Sequence, residues 1–121
     1  MHEQMTIPEY GVILLKLSIL YLNFGKISDC VAHSLEALKI FDTNGGSEED
    51  EIETFEILAR AYEITRKSSD MLSVGVLCSQ KFNQTENPKI FERMTKIVLL
   101  PKFMSINTQD AKLLLKIFTG L

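Results

Sequence analysis

The chain has 121 residues, enough for one domain with a modest core, and its apolar share of 45% is ordinary for a globular protein. Its net charge is −3, and its Lys and Arg residues are scattered, whereas nucleic-acid-binding proteins usually present a basic patch. We therefore expect an ordered chain that does not bind nucleic acid directly.

The first predicted helix carries almost no polar face. The run from Tyr10 to Phe24 is interrupted by only three polar side chains, which are Lys16, Ser18 and Asn23. A surface helix normally has one apolar stripe and one polar face, so a helix that is apolar nearly all round is expected to be covered on most sides. Its apolar stretch is shorter than the roughly 20 residues of a membrane-spanning helix, and we expect no membrane span.

Turn and capping signals divide the chain into six predicted helices and no strand. A first hairpin is expected over 9–42, a second over 47–84, and C-terminal capping helices over 87–121, all within a single domain 1–121. Gly25 is typical of a helix end. The predicted N-terminal caps are Ser28, Ser47, Asn87 (followed by Pro88) and Thr108.

The sequence shows no cluster of residues with the spacing of a metal-binding or catalytic site. Cys30 and Cys78 lie within apolar helical patterns, which predicts two buried free thiols and an intracellular location, cytoplasmic or nuclear. His2 and His33 are too few and too far apart for a zinc site. No nucleophile elbow, phosphate loop or dinucleotide fingerprint is present. We expect no cofactor, no metal and no enzymatic activity.

An internal repeat relates the two hairpins, with Tyr21 and Tyr62 in equivalent places 41 residues apart. Each unit has small and large residues at set points of a helix–turn–helix. These residues are Leu14, Leu17, Tyr21, Gly25, Cys30 and Ala37 in the first unit and Phe55, Leu58, Ala59, Ala61 and Tyr62 in the second. This pattern resembles the tetratricopeptide repeat family over roughly residues 10–83. The period in this chain is 41 residues, whereas that of the family is 34, and the insertion at Gly45–Gly46 explains the difference.

The resemblance implies stacked antiparallel helical hairpins in a short right-handed α-solenoid of about six helices. Three positions depart from the family pattern: Ser34 stands in place of an aromatic residue, Asp42 in place of the closing proline and Arg66 in place of the turn glycine. The family's basic-and-asparagine clamp for a C-terminal carboxylate is not expected, because the positions that would carry it are Leu15, Ile19 and Ile57.

The first helix lacks the polar outer face that a terminal repeat needs for solubility. Three explanations stay open: the chain was cut from a longer superhelix, a partner or second copy docks on this helix, or the C-terminal helices fold back over it. With Leu14, Leu17 and Tyr21 assigned to the core, the opposite side is the predicted partner-binding surface. That surface consists of Val12, Leu15, Lys16, Ile19, Leu22 and Asn23.

The leading functional hypothesis is a non-catalytic scaffold or adaptor module that binds an apolar or amphipathic segment of a partner protein, alone or within a larger complex. A second hypothesis is a structural subunit that forms a homodimer through the first helix. A third is a peptide-sensing regulatory domain that controls an effector on a longer parent chain.

Overall fold

The structure is a computed structural model that describes residues 7–100 and Lys116. This part of the chain is all-helical, which confirms the predicted class, and contains five α-helices and no strand. The helices are α1 (Ile7–Asn23), α2 (Ile27–Asn44), α3 (Glu48–Ile64), α4 (Ser68–Phe82) and α5 (Pro88–Leu99). Apart from Lys116, the predicted sixth helix, with its cap at Thr108, lies outside the described residues.

The chain divides into two compact units, Met1–Ala61 and Tyr62–Leu121. The division falls inside α3 and does not coincide with the expected boundary between two hairpins. In the first unit α1 packs against α2, and in the second unit α4 packs against α5.

The core of the first unit is built around the ring of Phe41. Phe41, Leu14 and Ala37 form a buried cluster, with the half-buried Val12 and Ile40 packed against it. The ring lies against two glycines: a Cβ at Gly11 would come within 2.7 Å of Phe41 Cε1, and a Cβ at Gly46 within 2.5 Å of Phe41 Cδ1. The absence of side chains at these glycines is therefore what lets α1 and the loop after α2 approach the ring.

The ends of α1 and α3 have the same backbone geometry. After α1, the N–H of Gly25 donates to Leu22 O (3.1 Å) and that of Lys26 donates to Tyr21 O (2.8 Å). After α3, Arg66 N–H donates to Glu63 O (3.2 Å) and Lys67 N–H donates to Tyr62 O (2.9 Å). This hydrogen-bond pair is the Schellman motif, which needs a left-handed residue, and φ is 75° at Gly25 and 58° at Arg66.

Two of the predicted helix caps are confirmed and one is wrong. Ser47 Oγ accepts from Asp50 N–H at 3.0 Å before α3, and the side chain of Asn87 accepts from Lys89 N–H at 3.0 Å before α5. Ser28 does not cap α2, because that helix already begins at Ile27 and its N-cap is Lys26, which makes no side-chain cap hydrogen bond. The Schellman turn at Gly25 sets this early start.

The second unit has a clearly amphipathic helix. Ile90, Met94, Ile97 and Val98 form the buried face of α5, at the spacing expected for one side of a helix. In α4 the buried side consists of Met71, Val74, Gly75, Cys78, Ser79 and Phe82. Cys78 here and Cys30 in α2 are both buried free thiols, as predicted.

Candidate protein-binding surface

The buried face of α1 consists of Gly11, Leu14, Leu15 and Ser18. The Ser18 hydroxyl donates to Leu14 O at 2.9 Å, so the burial of this polar group leaves no unpaired donor. Gly11 is where the helix meets Phe41. Two of the four buried positions are thus a glycine and a serine, residue types that a search for apolar spacing does not assign to a core.

The predicted partner-binding surface is only partly exposed. Lys16 and Asn23 are exposed, whereas Val12, Ile19 and Leu22 are half-buried. The placement of Leu15 on the free side of the helix was wrong, because Leu15 is 2% exposed. Its side chain belongs to the buried face. The exposed side of α1 is therefore displaced around the helix from the predicted one.

Apart from Ile7 in its first turn, the exposed large apolar residues of α1 and of the turn that follows it form one strip. It consists of Tyr10, Ile13, Leu17, Leu20 and Phe24, and we call these five residues the α1 strip. Leu20 is 52% exposed and Phe24 is 77% exposed, while Leu17 is half-buried. From Tyr10 to Phe24 the strip is about 21 Å long, at 1.5 Å per helical residue. Leu20 and Phe24 are joined by a hydrogen bond from Phe24 N–H to Leu20 O (3.0 Å), which continues the helical backbone to the end of the strip.

The spacing within the α1 strip is three, four, three and four residues. This is the spacing of the a and d positions of a heptad, the pattern by which one helix packs along another. Sequence reasoning missed the strip because the repeat alignment assigned Leu17 to the core. The heptad spacing was the signal that would have found it.

Polar groups lie along the edges of the α1 strip. Lys16 and Asn23 are seven residues apart, two helical turns, and both are exposed on one flank. On the opposite flank the Tyr10 hydroxyl donates to Glu36 Oε1 of α2 in a long hydrogen bond of 3.5 Å. The strip is thus an apolar band with polar groups on both sides, an arrangement typical of a binding surface.

Tyr21 has a packing role between α1 and α2. Its ring lies 5.0 Å from the His33 ring, centroid to centroid, with 46° between the ring planes. His33 Nδ1 lies 2.8 Å from Asp29 O, and since a carbonyl oxygen only accepts, Nδ1–H is the donor. Both rings are half-buried. The contact accounts for Tyr21 and His33 as structural residues.

Two buried groups have raised pKa values. Burial raises the pKa of the Cys30 thiol, and the adjacent Ser34 hydroxyl offsets part of this rise, although Ser34 Oγ makes no hydrogen bond of normal geometry. Burial also raises the pKa of Tyr62, and the carboxylate of Asp70 raises it further. A thiol with a raised pKa is a poor nucleophile at neutral pH, so Cys30 has the character of a core residue.

The other described helices each expose one or two large apolar side chains. The large ones on the other described helices are Leu35, Ile64, Leu77, Phe91 and Leu99. Single surface leucines of this kind are normal in globular proteins. Leu77 of α4, at 54% exposed, matches Leu20 in residue type and exposure and so provides a control position.

Within residues 7–100 and at Lys116, the His, Cys, Asp and Glu side chains form no group of three or more that could hold a metal ion. The five described helices include none with the length and apolar character to cross a membrane. Comparison of the chain with protein-family models, with curated proteins and with solved structures gave no match.

Proposed function

We propose that this chain is a non-catalytic protein-binding module and that the α1 strip is its contact surface. The observation that carries the proposal is the strip itself: five apolar side chains at heptad spacing along one side of α1 and the turn after it, four of them exposed. Leaving large apolar groups in water is unfavourable by about 25 cal/mol per Å² of apolar surface. A partner that covers these side chains recovers that free energy.

The chemistry of the strip defines the class of partner. An uncharged band with the width of one helix suits an amphipathic or apolar helical segment, which would insert its own apolar residues between those of the strip. Lys16 and Asn23 on the flank supply polar contacts to the edge of such a segment. A free C-terminal carboxylate is a poorer ligand, because the buried Leu15 and half-buried Ile19 stand where a clamp would need basic and amide groups.

The proposal includes a tetratricopeptide-like repeat as the scaffold. Support comes from the two Schellman turns, which recur 41 residues apart with equivalent hydrogen bonds. Burial also recurs at a separation of 41 residues. Leu14 and Phe55 are both buried, and so are Phe41 and Phe82. Arg66 adopts the left-handed conformation of the turn glycine that it replaces. We extend the proposal to a solenoid of about six helices and to an intracellular location, in line with the free thiols of Cys30 and Cys78.

The test is a pair of matched charge substitutions, Leu20→Glu and Leu77→Glu, in the full chain. Both positions are about half exposed, so neither change is expected to alter the free energy of unfolding by more than about 0.5 kcal/mol. Each variant and the wild type are expressed in the source cell, cross-linked and purified, and the co-purifying proteins are quantified.

The proposal expects Leu20→Glu to remove the specific cross-linked partner and Leu77→Glu to retain it, with equal far-UV circular dichroism in all three proteins. Equal recovery of the same partner with both variants would contradict it. A Leu15→Glu variant serves as the folding control, since a charge at a buried position should lower helicity itself.

A further inference from the structure

The α1 strip has the spacing of a two-helix contact. In such contacts each residue at an a or d position inserts between four residues of the facing helix, so the facing helix needs the same alternation of three and four residues. A second copy of this chain carries the same α1 strip and therefore the same alternation of three and four residues. It also has the symmetry that a homodimer requires, in which the same patch is used on both subunits.

We propose that the partner on the α1 strip is a second copy of this chain, with the two α1 helices antiparallel about a two-fold axis. This inference rests on the protein-binding role proposed above and names its partner.

The charges at the two ends of the α1 strip favour the antiparallel orientation. Glu9 lies just before the strip and Lys26 just after it, and both are exposed. Antiparallel pairing brings the Glu9 end of each copy to the Lys26 end of the other, so the same attraction forms twice. Parallel pairing would place Glu9 beside Glu9 and Lys26 beside Lys26. The helix dipoles also oppose each other in the antiparallel pair, which is the favourable arrangement.

One register pairs four of the five strip residues and leaves out only Tyr10. Ile13 of each copy packs against Phe24 of the other, and Leu17 packs against Leu20, which gives four apolar layers. In the same register Lys16 of one copy lies beside Asn23 of the second copy on the open flank. The ammonium group can then donate to the amide oxygen, so both exposed polar residues have a role at the interface.

The size of the strip sets the expected strength of the dimer. A contact about 21 Å long and one helix wide buries less than the roughly 800 Å² per partner of a standard interface. The dimer is therefore expected to dissociate on dilution.

Sedimentation velocity on the purified full chain, over roughly a hundredfold range of concentration, tests the pairing. The wild type and Leu77→Glu are expected to shift from monomer to dimer as concentration rises, and Leu20→Glu to remain monomeric throughout. A wild type that is monomeric at every concentration would overturn the inference. If that monomer still loses another protein partner on Leu20→Glu substitution, the protein-binding role stands and only the second copy is excluded.

Disulfide trapping tests the orientation. The Ile13→Cys and Phe24→Cys variants are mixed and oxidised, while the native Cys30 and Cys78 are buried and expected to stay unreactive. Antiparallel pairing predicts that the mixed disulfide between the two variants exceeds either homodisulfide at least severalfold. A predominance of homodisulfides would instead indicate the parallel arrangement and overturn the proposed geometry.

Discussion

Gly25 and Arg66 hold the same left-handed backbone conformation, with φ of 75° and 58°, and each ends its helix by the same pair of hydrogen bonds. The conformation costs glycine little, but it costs a residue with a Cβ about 1–2 kcal/mol. Arg66 therefore carries strain that Gly25 does not. Replacing Arg66 by glycine is expected to stabilise the protein by about 0.5 kcal/mol, after the greater flexibility of glycine in the unfolded chain is counted.

The converse change, Gly25→Ala, is expected to destabilise the protein by about 1 kcal/mol. Urea denaturation of both variants measures the two effects, and Arg66→Ala is the control because it keeps the Cβ. Stabilisation by Arg66→Ala equal to that by Arg66→Gly would show that the backbone conformation is not the cause.

The approach of Gly11 to Phe41 gives a second prediction. In an exposed helix, Gly→Ala stabilises by about 1 kcal/mol, but here the new methyl group would lie 2.7 Å from Phe41 Cε1. The ring is buried and also lies against Gly46, so it has little room to move, and overpacking of this kind costs about 1–3 kcal/mol. Gly11→Ala is therefore expected to lower the free energy of unfolding.

A double-mutant cycle with Phe41→Leu isolates this contact. The smaller side chain should reduce the penalty of Gly11→Ala, so the two substitutions together should cost less than the sum of their separate effects. A Gly11→Ala variant more stable than the wild type would contradict the close packing of α1 on Phe41.

Two buried serines make a matched pair. Ser34 Oγ makes no hydrogen bond of normal geometry, although its hydroxyl lowers the pKa of the nearby Cys30 thiol, whereas the Ser18 hydroxyl donates to Leu14 O. A buried polar group without a partner costs about 1–3 kcal/mol, so Ser34→Ala is expected to stabilise the protein by about 1 kcal/mol. Ser18→Ala should stay within about 0.5 kcal/mol of the wild type, since the lost hydrogen bond is offset by the higher helix propensity of alanine. Thermal denaturation of the two variants measures the difference. A larger gain in stability from Ser18→Ala than from Ser34→Ala would contradict the assignment of Ser34 as the serine that lacks a good hydrogen bond.

The raised pKa values of Cys30 and Tyr62 predict alkaline instability. The folded protein holds these protons more tightly than the unfolded chain. The free energy of unfolding that this difference contributes is fully present below the ordinary pKa values of 9.0 and 10.0 and falls as pH rises past them. The midpoint of urea denaturation should decrease above pH 9, and this decrease should be smaller in Cys30→Ala and in Tyr62→Phe. An unchanged pH dependence in both variants would exclude these groups as the cause.

Much of the local structure followed from the sequence because it depends on local chemistry. Ser47 and Asn87 cap their helices through their own side-chain oxygens, which a sequence reader can identify. The prediction that Ser28 caps α2 was wrong for a physical reason. A Schellman turn at Gly25 brings the chain into α2 before Ser28, so no side-chain cap is used.

The candidate surface was harder to predict because the buried face of α1 includes small and polar residues. Gly11 is buried since Phe41 fills the space beside it, and Ser18 is buried since its hydroxyl bonds to the helix backbone. Neither contact is visible in a hydrophobic pattern. The apolar Leu15 was therefore placed outside, and the accessible Leu20 and Phe24 were overlooked.

The most direct test of the central claim is site-specific photo-cross-linking in the source cell, with a photoreactive amino acid at position 20 or, in a control, at position 77. A protein-binding α1 strip predicts a discrete protein adduct from position 20 and none from position 77, since Leu20 lies in the strip and Leu77 is an equally exposed leucine outside it. An adduct of twice the chain mass would identify a second copy as the partner. Identical adduct patterns at the two positions, or no protein adduct at position 20, would contradict the account.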